Sequence, residues 1–447
     1  MRRELKGSLT VTLALSMLLF LSFCLVLVEG TRMYFLKVQA AQAMDLAQFS
    51  VLSEFQQELF NDYSVFFLEL DYEQGSEQIE ILKDRIRHYL TVNAESLKTM
   101  DISTEKLRRA TDGGGSVFFR QVVAGKSYES GYHLLESLLP GTETEQVPDL
   151  ETMLENNENA AETLLGSYQD EEGNLLFDIS IPSISFPTVK ALTRAVFGDE
   201  DALSEKSVNL QERIGQRTLL NGSGTSEDAS FVQMQLFHQY LFEHFQFYGS
   251  GEQKGSVLEY QMEYLICGKG LDRENLEEVM WRIFLLRAGG NYLFYHQDWD
   301  SMAKAGAQAA VIAGMIGNPE LTTLVQEIIL MKQAIEDGIT ETRSIFAGEK
   351  VPFYKEGVFS GVEFGYEEYL YLFLHLTDKK DKSYRCMDLI ELEIRATSGY
   401  EKFSMDHCTD SFLVQWNYGF DSIFKSMGKT GGASYEQTVT APFKYDI

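Results

Sequence analysis

The sequence predicts an α+β protein. An N-terminal transmembrane helix continues into a long helix and is followed by a mixed extracytoplasmic domain with a helical centre. Three observations predict this. Residues 8–28 carry no charge, and as a helix that run spans about 30 Å, the thickness of a bilayer core. Between about residue 226 and residue 395 several segments read as helices, one of them long and amphipathic. The tail segments SFLVQWNYGF and YEQTVTAPFKY are aromatic and strand-like.

Arg2, Arg3 and Lys6 precede the apolar run and an acidic bulk follows it. The positive-inside rule then places the N-terminus in the cytoplasm and the remainder outside. The run ends in Val28-Glu29-Gly30-Thr31-Arg32, without the small-x-small site of a cleaved secretory signal, so it reads as a single-pass anchor. Beyond it the helical pattern reaches about Leu70 without a proline. Leu46, Phe49, Leu52 (or Val51), Phe55 and Leu59 form its expected packing stripe, and Gly30 is the place for a bend. VFFLEL, at the end of this stretch, reads equally as a strand.

Residues 76–92 read as an amphipathic helix with Ile79, Leu82, Ile86 and Leu90 on one face. ESLKTMDISTEKL and GGGSVFFRQVVAG read as strands on either side of a turn at Asp112–Gly115. NGSGTS (221–226) is expected to be a flexible joint before the helix ASFVQMQLFHQYLFEHFQFYG. SVLEYQMEYLICGK alternates as a strand, and Asp272 is placed to N-cap the helix that follows. AKAGAQAAVIAGMIG is too short for a membrane and reads as a small-residue helix buried in a bundle. A long helix opening at Pro319 and two more, 366–376 and about 379–395, complete the centre. The expected parts are a basic tip (1–7), transmembrane helix (8–28), helical extension (29–71), first α/β part (72–140), acidic insert and linker (141–225), and helix-rich α+β ectodomain (226–447).

A net charge of -29 disfavours nucleic acid and anionic lipid surfaces. From Gly141 to Asn174 there are ten acids and no Lys or Arg, the composition of a solvated insert. Of the four cysteines, Cys24 lies in the apolar run. Cys267, Cys386 and Cys408 lack the close pairing of a zinc site or a disulfide framework. One bridge, Cys386–Cys408, stays open beside the reading as free buried thiols.

The basic tip, KGSLTV, the leucine-rich run, EGTR and the Ala/Gln-rich helix together resemble the TadE/TadG-like pseudopilin family of tight-adherence pilus loci. The likeness is closest to a set of such membrane proteins in Gram-positive anaerobes. VLEYQMEYLICGKGLDRENLEEVMWRIFLLRAGGNYLF, AGAQAAVIAGMIGNPEL and FGYEEYLYLFLHLTDKKDKSYRCMDLIELEIR extend that resemblance. It implies a membrane protein that works by protein–protein interaction. The implied partners are other pilus or secretion-apparatus membrane proteins, and Gly7-Ser8 would be a prepilin-type processing junction. Thr12 stands where fibre-forming pilins usually carry a glutamate, which argues against a role as major fibre subunit. Glu29 and Arg32 fit the membrane-exit pattern, an i,i+3 pair at the interface.

No catalytic, cofactor or metal constellation is expected. His238, Glu243 and His244 have the wrong spacing for a zincin helix and read as structural. Gly268 and Gly270 read as a strand-to-helix turn rather than a phosphate loop. Asp170, Glu171 and Glu172 read as a solvated acidic turn, because they lack the alternating spacing of a calcium loop.

Overall fold

The structure, a computed structural model, describes residues 5–70, 78–129, 186–198, 203–251, 256–355, 361–423 and 434–445. The acidic insert with its Asp170-Glu171-Glu172 turn, and most of ISIPSISFPTV, lie outside these residues. Helix and strand are mixed, as the periodicities predict. The chain forms two compact units. The first comprises Met1–Gly125, Leu219–Asp228 and Tyr400–Ile447, and the second Lys126–Thr218 and Ala229–Gly399.

The first unit begins with α1 (Leu5–Leu52), 48 residues of unbroken helix about 72 Å long that includes Gly30. It stops well short of Leu70. A second helix, α2 (Gln57–Tyr63), opens with the Gln56 side chain accepting the Leu59 N–H and closes at Ser64 in the left-handed region. VFFLEL then becomes extended and β1 (Leu68–Glu69) follows, so the strand reading of that segment holds. Extension puts both Val65 and Phe67 inside, which one face of a helix could not do.

The expected stripe on α1 is corrected too. Leu46 and Phe49 are 52% and 78% exposed, and the buried face is Leu36, Ala40, Ala43, Met44, Ala47 and Val51. Three alanines let the helix approach its neighbours closely, where bulkier side chains would overfill a close-packed layer.

Against that face packs α3 (Gln78–Asn93), with Leu82, Ile86 and Leu90 buried and Ile79 left exposed in its first turn. β2 (Lys98–Arg109) is the expected strand. α4 (Asp112–Glu129) replaces the second one. Gly113, Gly114 and Gly115 all have positive φ and make the expected turn, after which the chain is helical. Val117, Phe118 and Val122 are buried on that helix, so helical packing overrides the β-branched composition that reads as a strand.

β3 (Cys408–Asp421) is the centre of an antiparallel sheet. It pairs with β2, with β1 at its start, and with β4 (Ser434–Lys444) in unbroken register from Ser411↔Lys444 to Asp421↔Ser434. Its alternation sends Phe412, Val414, Trp416, Tyr418 and Phe420 into the core shared with α1 and α3.

The second unit is mainly helical. Its elements are α5 (Val189–Phe197), α6 (Phe231–His244), α7 (Gln261–Cys267), α8 (Asp272–Gln297), α9 (Trp299–Ile316), α10 (Thr322–Phe346), α11 (Tyr366–Leu376) and α12 (Lys379–Ala396). Ser230 caps α6 through a reciprocal capping box with Gln233. Met280, Phe284 and Ala288 of α8 meet Met331 and Ile335 of α10, with Leu192 of α5 closing the cluster.

Three expectations are overturned here. The strand read in SVLEYQMEYLICGK is the helix α7. Every residue from Gln261 to Ile266 is buried, so no polar face remained to reveal a helical period. Asp272 is not the N-cap, which is Leu271. Asp272 is fully buried and accepts the backbone N–H groups of Glu259 and Tyr260 at 2.8 and 3.0 Å. On α9 only Ala305, Ala309 and Ala313 are buried, while Val311 and Met315 are exposed.

Candidate functional site

Among the described residues, α1 is the one helix long and apolar enough to cross a membrane, and its most apolar window has a mean hydropathy of 2.7 with none of it buried. A helix of this kind fits a membrane anchor. Gly7 and Ser8 lie within its helical start, and the Thr12 hydroxyl donates back to the Leu9 carbonyl at 3.0 Å.

Glu29 and Arg32 approach each other to 3.7 Å, but their main engagements are elsewhere. Arg32 Nη1 donates to the Asp421 carbonyl at 2.8 Å, and the Ile423 N–H donates to Glu29 Oε2 at 3.4 Å. The Asp421 carboxylate in turn accepts from Lys98 Nζ at 3.0 Å and from the Ser434 hydroxyl at 2.7 Å. The pair therefore fastens α1, one residue past its charge-free run, to the end of β3. Lys98 opens β2 and Ser434 opens β4, so the starts of both strands join the same cluster. Spacing alone identified the pair; its partners, nearly four hundred residues away, carry no local signal.

A second junction was missed at the sequence level. The Asp112 carboxylate accepts three backbone N–H groups, those of Arg109, Gly222 and Gly224, each at 2.9 Å. The Ser223 N–H donates to the Leu107 carbonyl at 2.7 Å. NGSGTS is thus a held segment and not a flexible joint. Its glycines are required by close approach, since a Cβ on Gly222 would lie 2.1 Å from Asp112 Oδ2. An aspartate beside GGG, with NGSG elsewhere in the chain, was the available clue.

The second unit uses carboxylates in the same way. Asp388 accepts the Ile214 N–H at 2.7 Å and the Tyr264 hydroxyl at 3.1 Å, and Glu393 accepts the Val257 N–H at 2.8 Å. Glu263 is fully buried and accepts the Tyr248 N–H at 2.9 Å and the Tyr366 hydroxyl at 2.5 Å. Burial pushes Glu263 up to about 7 and Asp388 up to about 6. These acids tie loops to helices, each satisfying backbone donors that burial would otherwise leave unpaired.

His238 and His244 do not converge. His238 is fully buried, and its Nε2 faces Lys382 Nζ at 3.0 Å. Lys382 is also fully buried and donates to the Leu374 carbonyl at 2.7 Å. Burial draws the Lys382 ammonium down to about 8. Burial, reinforced by the neighbouring ammonium, holds His238 down at about 2, so the imidazole is neutral. His244 instead stacks on Tyr240 with ring centroids 4.2 Å apart, and Glu243 accepts from Gln239. No group of three or more His, Cys, Asp or Glu among the described residues is placed to hold a metal.

Gly268 ends α7 in the left-handed conformation and packs under the Arg385 guanidinium, so it serves a helix-to-helix turn and not the expected strand-to-helix one. Cys386 and Cys408 are both buried and are not joined in a disulfide.

A cleft of about 660 Å³ in the second unit is lined by Trp281, Leu285, Phe373 and Leu376, with Arg282 and Arg385 among its charged residues. Arg385 is committed to structure, because its Nη1 donates to the carbonyls of Leu265 and Ile266.

No curated protein and no solved structure matches the chain. One family model does, over residues 184–358 and 360–420, more than half of the sequence. That stretch takes in most of the described second unit and reaches the end of β3, leaving α1 outside it. The chain belongs to the family of unknown function DUF5702.

Proposed function

We propose that this chain is a membrane-anchored, pseudopilin-like component or assembly factor of a tight-adherence pilus or related secretion apparatus, acting by protein–protein interaction and not as an enzyme. Its N-terminus lies in the cytoplasm and the residues beyond Val28 lie outside. The observation that supports an interaction role is on α1. The apolar surface does not stop at Val28 but continues through Tyr34, Phe35, Leu46 and Phe49, all more than half exposed. An apolar stripe reaching about 30 Å past the membrane-length run is uncovered surface of the kind that marks a protein contact. The clamp of Glu29 and Arg32 on β3 supports the same reading, since it fixes the sheet to the helix just past its membrane-length run.

Protease added to intact protoplasts should remove the ectodomain and leave the N-terminal tip protected. A protected tag at Ile447 would overturn the orientation. Co-purification from native membranes in mild detergent should recover pilus-assembly membrane proteins. Intact mass on the same material reads whether the chain starts at Met1 or at Ser8. A second reading, a membrane-tethered module for wall glycan or solute, draws on the Trp281 cleft. A bound small molecule on a monomeric chain would favour it instead.

A further inference from the structure

The buried face of α1 has a counterpart on its opposite side. There, Phe35, Val38, Gln42, Asp45 and Phe49 are exposed and Leu52 half-buried. The series 35, 42, 49 and 38, 45, 52 each step by seven. Continued toward the N-terminus, the same steps pass through Thr31 and Val28, then Cys24, Leu21, Met17 and Ala14. One heptad seam therefore runs from the membrane-length segment of α1 into the part that packs against α3 and the sheet. A seven-residue repeat of this kind is what a second helix needs in order to wind around the first with a left-handed supercoil.

Charge points to the occupant. The chain carries a net charge of -29, yet between Leu9 and Ser53 its charged residues are Glu29, Arg32, Lys37 and Asp45, which cancel. Two copies repel over most of their surfaces and can meet along this neutral stretch. Two anchors in one bilayer also point the same way, as a parallel two-fold pair requires.

We propose that α1 pairs in parallel with α1 of a second copy of this chain along the Phe35–Phe49 seam and its extension through Cys24. This rests on the membrane-anchored interaction reading and names its first partner. Gln42, at a core position, sets the register by hydrogen bonding to its symmetry mate. The two Asp45 carboxylates face each other across the seam and weaken it, which keeps the pair reversible.

The test is oxidative cross-linking of the full chain in native membranes, in a Cys267→Ser background so that Cys24 is the one cysteine not buried. Copper phenanthroline accepts the two electrons as two thiols release two protons and form one S–S bond. A homodimer at twice the chain mass is expected, and it disappears in Cys24→Ser. With Cys24 removed, Phe35→Cys should restore the cross-link, whereas Lys37→Cys, off the seam, should not. Asp45→Leu should raise the yield at least about threefold and Phe49→Lys should lower it by a similar factor. Both positions are exposed, so the far-UV circular dichroism should not change.

A chain that stays monomeric with both Cys24 and Phe35→Cys overturns the pairing. So does a disulfide adduct to a different protein without homodimer, although that result leaves the interaction reading standing. Recovery of the chain in the soluble fraction would instead remove the anchor on which both rest.

Discussion

Replacing Gly222 by alanine puts a methyl carbon 2.1 Å from Asp112 Oδ2 and 2.8 Å from the Leu107 carbonyl oxygen. No side chain can yield on its own, because one neighbour is a carboxylate holding three N–H groups and the other is backbone. Either the carboxylate turns away from its donors or the loop lifts off Leu107. A hydrogen bond to an ionised group contributes about 1.5–3 kcal/mol, so losing two costs about 3–6 kcal/mol. For a unit of this size that lowers the melting temperature by roughly 10 °C. The assay is urea or thermal unfolding of the full chain, read by Trp416, which is fully buried in the first unit. Trp281→Phe and Trp299→Phe isolate its signal. Gly30→Ala is the control, since nothing lies within 4 Å of its added carbon and alanine favours the helix interior. A Gly222→Ala protein within about 1 kcal/mol of the parent would refute the carboxylate clamp.

Glu263 makes the second unit sensitive to pH. Its folded value of about 7 lies above the ordinary 4.5, so between those values the unfolded chain is ionised while the folded one keeps its proton. Stability should therefore fall as pH rises through that window and level off above it, by up to about 3 kcal/mol, with Asp388 adding to the slope. Glu263→Gln should flatten the profile, and an unchanged slope would remove Glu263 as its source. For the thiols, denatured protein should titrate four free cysteines, while folded protein should shield Cys386 and Cys408. A pair missing after denaturation would reveal a disulfide.

The sequence by itself determined what depends on local pattern. The charge-free run, the helices 366–376 and about 379–395, and the strand-like segment from Phe412 to Phe420 all emerged because a run's apolarity or period is set within a few turns of chain. Tertiary structure decided what depends on distant partners. Leu46 and Phe49 look like core by hydropathy, yet alanines are buried in their place, because close helix packing selects for size as well as for apolarity. Asp112, Glu263, Asp272 and Asp388 look like solvent-facing acids. They are buried because backbone N–H groups, some more than a hundred residues away, need acceptors. Hydropathy records what a side chain prefers in water; it does not record which distant backbone will supply the hydrogen bonds that make burial affordable. For that reason the long apolar helix was legible in the chain, and the Asp112 junction and the partners of Glu29 and Arg32 were not.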